Sequence, residues 1–367
     1  MKILILANND GGLLSFRREL LERLVEEHKV ICCVPTGSSV QAIRSIGCEF
    51  VPCDLIQRHG TNPTQDLKLL AFYKKLLRDE RPDVVLTYTI KPNVYGGMAC
   101  ASLRVPYIAN VTGLGTAVEN GGLMAKVTTT LYRVGLRKAK CVFFQNQENR
   151  DFMLKNGIVR GHYDLLPGSG VNLGKFRPTE YPRGETVDFI FVARVMREKG
   201  IDQYLDAAQA VRRTHPEARF HIYGACEQNY KEKLQSLEKD GVVQYHGAVG
   251  NMPEVYRMAA CTVHPTFYPE GMSNVLLESC ASARPIITTD RAGCREIVDD
   301  GVNGYVVRQQ DSADLIEKIE RFLALSCERR RDMGLAGRAK VEREFDRQIV
   351  VEKYLEEMQQ YIRENVQ

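Results

Sequence analysis

The chain has 367 residues, 44% of them hydrophobic, with a formal net charge of +4 and no Trp, a length that predicts two domains with ample apolar material for a core in each. The apolar stretch after Met1-Lys2 runs only from Ile3 to Ala7 and no later run reaches bilayer length, which argues against a signal peptide or a membrane span. Eleven Cys without a Cys-x-x-Cys pair and seven His without metal-ligand spacing point to a reduced, cytoplasmic protein with no metal centre.

The first half alternates short apolar runs with helical periods. Strands are predicted at 2–7, 29–34, 49–52, 83–87, 107–110 and 141–144, and helices at about 13–27, 39–46, 64–79, 92–103, 123–138 and 147–155. Such alternation predicts a parallel sheet covered on both faces. The loop after the first strand, Asn8-Asn9-Asp10-Gly11-Gly12, lacks Gly-x-Gly-x-x-Gly, and the second strand ends Val34-Pro35-Thr36 without a ribose-binding acid, which argues against a dinucleotide oxidoreductase. Gly11-Gly12 reads either as a place where backbone approaches a ligand closely or as an ordinary tight turn.

The Gly/Pro cluster from Pro167 to Pro178 is the candidate linker. Beyond it the pattern restarts at the buried run 187–193, with strands predicted at 220–223, 242–245, 261–264 and 285–288 and two closing helices at about 328–344 and 348–365. The strand at 187–193 ends in Arg194-Val195-Met196-Arg197-Glu198-Lys199-Gly200, with a helix beginning near Ile201. Arg194 and Lys199 flank a strand-to-helix loop, where ligand crevices open in parallel sheets and where two cations beside a helix start suit a diphosphate, although solvated surface cations would look the same. In Tyr268-Pro269-Glu270-Gly271-Met272-Ser273-Asn274-Val275-Leu276-Leu277-Glu278, a helix is predicted to start at Ser273 or Asn274. Ionised carboxylates accept only, so Glu270 before that helix and Glu278 within it suit the hydroxyls of a polyol ligand.

Together, these two elements resemble the Arg-x4-Lys-Gly and Glu-x7-Glu motifs of the retaining glycosyltransferases of family 4. The resemblance spans the whole chain. It is similar to bacterial members that build capsular, exopolysaccharide or lipid-linked glycans, through Thr87-Tyr88-Thr89-Ile90-Lys91-Pro92-Asn93, Asn110-Val111-Thr112-Gly113-Leu114-Gly115 and the stretch at 270–278. N-acetylgalactosaminyl transferases acting on undecaprenyl-diphosphate-linked sugars are among these relatives. Gly170-Val171-Asn172 and Phe176-Arg177-Pro178 resemble the family's linker, where Gly-Val-Asp and Phe-x-Pro are usual.

The resemblance implies an α/β fold of two Rossmann-like doubly wound domains facing a central cleft (GT-B). It implies an acceptor-binding domain at 1–172, a nucleotide-sugar domain at 173–347 and a final helix, about 348–367, that packs back on the first. It implies a nucleotide-sugar donor, UDP-hexose or UDP-N-acetylhexosamine, and no cofactor. Arg194 and Lys199 would stabilise the leaving diphosphate, with Glu270 on the donor sugar and Glu278 on the ribose; Gly12, Gly247, Val249, Gly271, Met272, Ser273 and Asn274 would complete the donor site. The acceptor, a glycan or polyprenyl-diphosphate sugar, would meet Arg58, Asn62, Lys91 and Thr112, although Lys91 also reads as a plain solvated lysine. Thr112 stands where many members carry a His, so the donor phosphate becomes a candidate to take the acceptor proton. His246 reads as structural.

Residues 1–170 hold 22 Lys/Arg against 15 Asp/Glu, and residues 171–367 hold 28 against 31. A basic first half suits an anionic partner, and no recognition helix or RNA-binding signature points to nucleic acid. The stretch 123–140 interleaves Met124, Val127, Leu131 and Val134 with Lys126, Arg133, Arg137, Lys138 and Lys140. It reads as a helix lying on an anionic membrane, at the inner face of the plasma membrane, or as a packing helix with a solvated face. Two rival classes remain open: a sugar-nucleotide epimerase of the same architecture, and a non-catalytic binding subunit of a glycan-assembly complex.

Overall fold

The computed structural model describes residues 1–56, 62–119, 121–227 and 229–366. In the first half, β1 (Lys2–Leu6), α1 (Asp10–Val25), β2 (Lys29–Val34), α2 (Val40–Ile46), β3 (Glu49–Pro52), α3 (Pro63–Glu80) and β4 (Val84–Tyr88) follow one another. A π-helical segment, Pro92–Gly96, then leads into α4 (Gly97–Leu103), followed by β5 (Tyr107–Val111), α5 (Thr116–Glu119), α6 (Gly122–Leu136), β6 (Cys141–Phe144), α7 (Gln147–Lys155) and β7 (Tyr163–Leu165). The second half holds β8 (Val187–Val192), α8 (Ile201–Thr214), β9 (Ala218–Tyr223), α9 (Lys231–Lys239), β10 (Gln244–Gly247), α10 (Met252–Met258), β11 (Cys261–His264), α11 (Asn274–Ala281), β12 (Ile286–Thr289), β13 (Gly304–Val307), α12 (Ser312–Leu323), α13 (Cys327–Glu344) and α14 (Arg347–Val366).

The chain folds as two compact units, Met1–Ser169 with Arg347–Gln367, and Gly170–Asp346. The first is built on a seven-stranded sheet in the order β3-β2-β1-β4-β5-β6-β7, the second on a six-stranded sheet in the order β10-β9-β8-β11-β12-β13, and every pairing is parallel. Strand order reverses between β1 and β4 and between β8 and β11. In such sheets the connections on either side of the reversal diverge and leave a crevice at the carboxyl ends of the strands.

Strands buried on both faces explain the continuous apolar runs of the sequence. Ile3 and Ile5 pack with Leu13, Leu20 and Leu24 of α1 and with Val350, Val351 and Tyr354 of α14, whereas Leu4 and Leu6 pack with Leu69, Tyr73 and Leu77 of α3. Arg347 begins α14 and is nearly buried; its Nη1 donates to the Ser15 carbonyl at 2.9 Å and pairs with Glu19 at 3.0 Å.

Residues 92–103 do not form the single α-helix that the sequence pattern predicts. The buried Asn93 side chain accepts from Thr87 Oγ1 at 2.7 Å and donates to the Asn110 carbonyl at 2.8 Å, tying the segment to β4 and β5, and the turn is π-wound there. A Cβ on Gly135 would lie 2.6 Å from Val94 Cα, so only glycine lets α6 cross this close.

Candidate functional site

The crevice end of the second sheet is formed by the loops after β8 and β11. Two contacts lock them together: Phe267 N–H and Thr266 Oγ1 both donate to the Glu198 carbonyl, at 2.9 and 3.2 Å. Gly200 has φ +79°, and a Cβ there would sit 2.1 Å from the Pro265 carbonyl oxygen. Glycine at this position therefore sets how closely the two loops approach, and with it where Lys199 lies.

Lys199 Nζ pairs with Glu270 across these loops, both side chains being mostly buried. The ring of Tyr268 lies beneath both cations, 4.5 Å from Lys199 Nζ and 5.7 Å from Arg194 Cζ. Arg194 Nη1 pairs with Glu227 at 2.5 Å. The geometry thus brings Arg194, Lys199 and Glu270 together around Tyr268. Sequence reasoning did not single out Tyr268 or Glu227; the first stands two residues before Glu270, while nothing in the sequence links Glu227 to Arg194. The folded link is local: Val195 bridges Cys226, and Glu227 N–H donates to the Val195 carbonyl. Chemically the cluster is a cationic cradle with carboxylate counter-ions that a diphosphate can displace.

The helix α11 begins at Asn274, with Ser273 as its N-cap. The Ser273 side chain makes no capping hydrogen bond, and its backbone N–H donates to the Gly293 carbonyl at 2.8 Å. Met272 is buried in the core, which leaves its backbone rather than its side chain for a ligand. Asn274 keeps a buried Oδ1 without a hydrogen-bond partner. About one turn on, half-buried Glu278 accepts from Tyr256 Oη at 3.0 Å. Gly247 ends β10 with φ +66°, Val249 is exposed beyond it, and the His246 ring stacks on Tyr223 at 4.4 Å and hydrogen-bonds His221 at 3.1 Å. Burial, with His221 adding to it, holds the His246 pKa below its usual value.

Beneath the cradle, His264 ends β11 fully enclosed, with neither ring nitrogen hydrogen-bonded. Burial, reinforced by Lys199, lowers its pKa to about 3, so the imidazole is neutral across the physiological range.

The remaining expected residues lie in the first unit. Gly11 and Gly12 form the first turn of α1 rather than a separate tight turn, and the Gly12 N–H donates to the N-cap side chain of Asn9 at 2.6 Å. Asn62 is the N-cap of α3, its Oδ1 accepting from Thr64 N–H at 3.1 Å. Lys91 is not a freely solvated lysine: it pairs with Asp66 at 3.0 Å and is mostly buried. Thr112 lies half-buried just past β5, and Arg58 falls outside the described residues. One group of metal-ligand type occurs among the described residues: Cys141, His162 and Glu357 place ligand atoms within 4.8 Å of one another, at the opposite end of the sheet from the crevice. There His162 and Glu357 hydrogen-bond at 2.8 Å and fasten α14 to the sheet.

Comparison with known proteins covers both halves. A model described as "Glycosyl transferases group 1" matches residues 175–340, and one described as "Glycosyl transferase 4-like domain" matches residues 11–168. The chain is 26% identical over 375 residues to the N,N'-diacetylbacillosaminyl-diphospho-undecaprenol alpha-1,3-N-acetylgalactosaminyltransferase of Campylobacter jejuni, covering 97% of each. It is 23% identical to the capsular polysaccharide biosynthesis glycosyltransferase CapM of Staphylococcus aureus, covering 86% of this chain and 88% of CapM. Among solved structures, Anabaena HepE in complex with UDP and glucose superposes with a TM-score of 0.79 at 16% identity, over 98% of this chain and 99% of that one.

Proposed function

We infer, from the membership of this chain in the glycosyltransferases across both of its GT-B halves, that it is a retaining enzyme using a UDP-activated hexose or N-acetylhexosamine and a lipid-linked glycan acceptor. The product belongs to the assembly of a bacterial surface polysaccharide or glycoprotein glycan. The observation that carries this reading is the clustering of Arg194, Lys199 and Glu270 about Tyr268 at the strand-order reversal of the second sheet. Support comes from the names of the Campylobacter and Staphylococcus relatives and from the UDP in HepE.

In this reading the donor diphosphate enters beside Lys199 and Arg194 and competes with their carboxylate partners. As the bond from the anomeric carbon to the β-phosphate oxygen breaks, negative charge grows on the departing UDP, and the two cations stabilise it in a preorganised, partly dry setting. Lys199 released from Glu270 leaves that carboxylate to accept from the sugar's hydroxyls, while Glu278 on α11 accepts from the ribose. The acceptor oxygen bonds to the anomeric carbon on the face that UDP leaves, and its proton passes to the departing phosphate oxygen. The side chains thereby supply the charge that a divalent ion supplies in metal-dependent transferases.

Among the described residues no helix is long and apolar enough to cross a membrane. Helix α6 and the turn that follows it nevertheless expose Leu123, Met124, Val127 and Val134 together with Lys126, Arg133, Arg137 and Lys138. This combination favours peripheral docking on an anionic bilayer, at the inner face of the plasma membrane, where a lipid-linked acceptor is presented. Calorimetry against a panel of nucleotide sugars tests the donor. Mass detection of product on an undecaprenyl-diphosphate-sugar acceptor and NMR of the new linkage then test acceptor and stereochemistry. A β-linkage from an α-configured donor, or transfer only to water, would overturn the reading.

A further inference from the structure

Among the described residues three arginines are buried: Arg347 in its pair with Glu19, and Arg284 and Arg17 in quite different ways. Arg284 is satisfied by carbonyls: Nε donates to Tyr256 at 2.9 Å, and Nη2 to Glu180 at 2.9 Å and Arg257 at 3.0 Å. Arg17, in the third turn of α1, is 4% exposed, yet among the described residues its one hydrogen bond runs from Nη1 to the carbonyl of its own neighbour Phe16, at 2.7 Å. Its Nε is buried without a partner and no carboxylate among the described residues pairs with it. The three carboxylates on its own helix are engaged elsewhere: Asp10 accepts from Ser39 N–H, Glu19 pairs with Arg347 and Glu22 with Arg18. A buried cation left this way is unfavourable unless something else completes it.

What faces it is also incomplete. Its guanidinium lies 5.1 Å from the centre of the Tyr88 ring, at the carboxyl end of β4. The Tyr88 hydroxyl is buried, with no hydrogen bond of good geometry and with Arg17 and the Tyr354 hydroxyl as its polar neighbours, and burial pushes its pKa up, so it remains a neutral donor. The next residue, Thr89, also has a buried, unpartnered Oγ1 and a φ of +70°, a left-handed conformation that a β-branched residue adopts only under constraint. The polar groups that reach this level from other elements are neutral: Tyr354 on α14 accepts from Asn110 at 2.8 Å, and Asn110 accepts from Gln145 at 3.3 Å. All of this lies at the reversal between β1 and β4, where a parallel sheet opens to ligand.

We propose that Arg17, Tyr88 and Thr89 form an oxyanion subsite that receives the diphosphate of the acceptor. The guanidinium fork supplies paired donors in the geometry of a phosphate, and the two hydroxyls supply one more each. The proposal rests on the glycosyl-transfer reading and specifies the acceptor as anionic near its reacting sugar, recognised in the first unit and apart from the donor cradle.

The test compares wild type with Arg17→Met, which keeps an unbranched apolar stem and removes the charge. Thermal melting is followed with UDP saturating the donor cradle, with and without inorganic pyrophosphate. Transfer is measured to one sugar on a short water-soluble prenyl diphosphate and to the same sugar on a neutral alkyl group. Arg17→Met is expected to melt no lower than wild type and to lose the upward shift in Tm that pyrophosphate gives wild type. It is expected to raise KM for the diphosphate acceptor at least tenfold, with the neutral acceptor and UDP-sugar affinity unchanged and part of the loss recovered by Arg17→Lys. Lower melting with equal loss on both acceptors would make Arg17 a packing residue, and lost UDP-sugar affinity would assign it to the donor; either overturns the proposal. Failure of wild type to bind any UDP-sugar would instead sink the glycosyl-transfer reading. The pyrophosphate shift, present in wild type and absent from the variant, then decides the anion subsite alone.

Discussion

Lys199 sits in its ion pair with Glu270 on the face of Tyr268, and under the proposed function that pair is a resting arrangement that a donor must break. The net worth of Lys199 to a donor is therefore the difference between a phosphate and a carboxylate partner. Lys199→Ala and Glu278→Ala are expected to weaken UDP-sugar binding by about 1–3 kcal/mol each, the usual effect of removing one partner from a buried polar contact. Calorimetry on the folded variants decides it; unchanged affinity in both would move the donor elsewhere. His264, below them, yields a pH prediction. An unfolded histidine takes up its proton near pH 6.5, the buried one near 3. Above 6.5 both states are neutral and the group adds no pH dependence. Below it the unfolded state gains a proton that the fold refuses, so stability falls toward acid by up to about 1.4 kcal/mol per pH unit. Urea unfolding between about pH 7 and pH 4 should show His264→Leu with a shallower acid slope than wild type; parallel slopes would refute the assignment. Glu270 and Glu278 stood out in the sequence as candidates because one turn and one helix carry both; the structure pairs Glu270 with Lys199 and Glu278 with Tyr256. Arg17 was not: an arginine in an amphipathic helix reads as surface, and its burial follows from α14, over three hundred residues away, closing over that face. Asn62 shows the converse, a candidate ligand whose position at a helix start already employs its side chain.

Among the elements, long periodic stretches and doubly buried strands stood out, while the last edge strand of each sheet, β7 and β13, did not. Strand β7 has no fully buried residue, and in β13 the apolar run is only Tyr305-Val306-Val307 after a turn-like Asp-Gly-Val-Asn-Gly stretch, too short to stand out. Each adds the last strand to its sheet because a neighbour already supplies a paired edge. Helix α6 is the opposite case, a strong pattern with two readings. The structure buries Tyr132, Gly135 and Leu136 on one side, so packing accounts for part of its apolar content. It leaves Leu123 77% exposed and Val134 49% exposed among cations, which packing does not explain. Reversing Arg133, Arg137 and Lys138 to Glu should weaken binding to anionic vesicles by about 1 kcal/mol or more per charge at low salt and reduce transfer to a lipid-linked acceptor. Transfer to a short soluble acceptor should hardly change. Equal loss on both acceptors, or no vesicle binding by wild type, would return α6 to a purely structural role.

At the scale of the whole molecule, the two units repeat one plan, a parallel sheet whose strand order reverses beside its first strand, and the proposed function divides the chemistry between them. The Gly/Pro cluster around residue 170 announced a break in the chain, because no periodic pattern runs through it. That α14 belongs with the first unit was not readable from its own sequence. It follows from partners such as Ser15, Glu19, Asn110 and Asp164, whose positions the sheet sets. If donor recognition resides in Gly170–Asp346 and membrane contact in the other unit, changes in the two should not feel one another. Lys199→Ala should leave vesicle binding as in wild type, and the α6 charge reversal should leave UDP-sugar affinity as in wild type. The combined variant should show both losses, with a coupling no larger than about 0.5 kcal/mol, as for sites that share no partners. A double-mutant cycle in calorimetry and vesicle sedimentation measures that coupling. A value well above this limit would mean that donor binding and membrane docking bias a common conformational equilibrium, and that the division of labour between the two units is not independent.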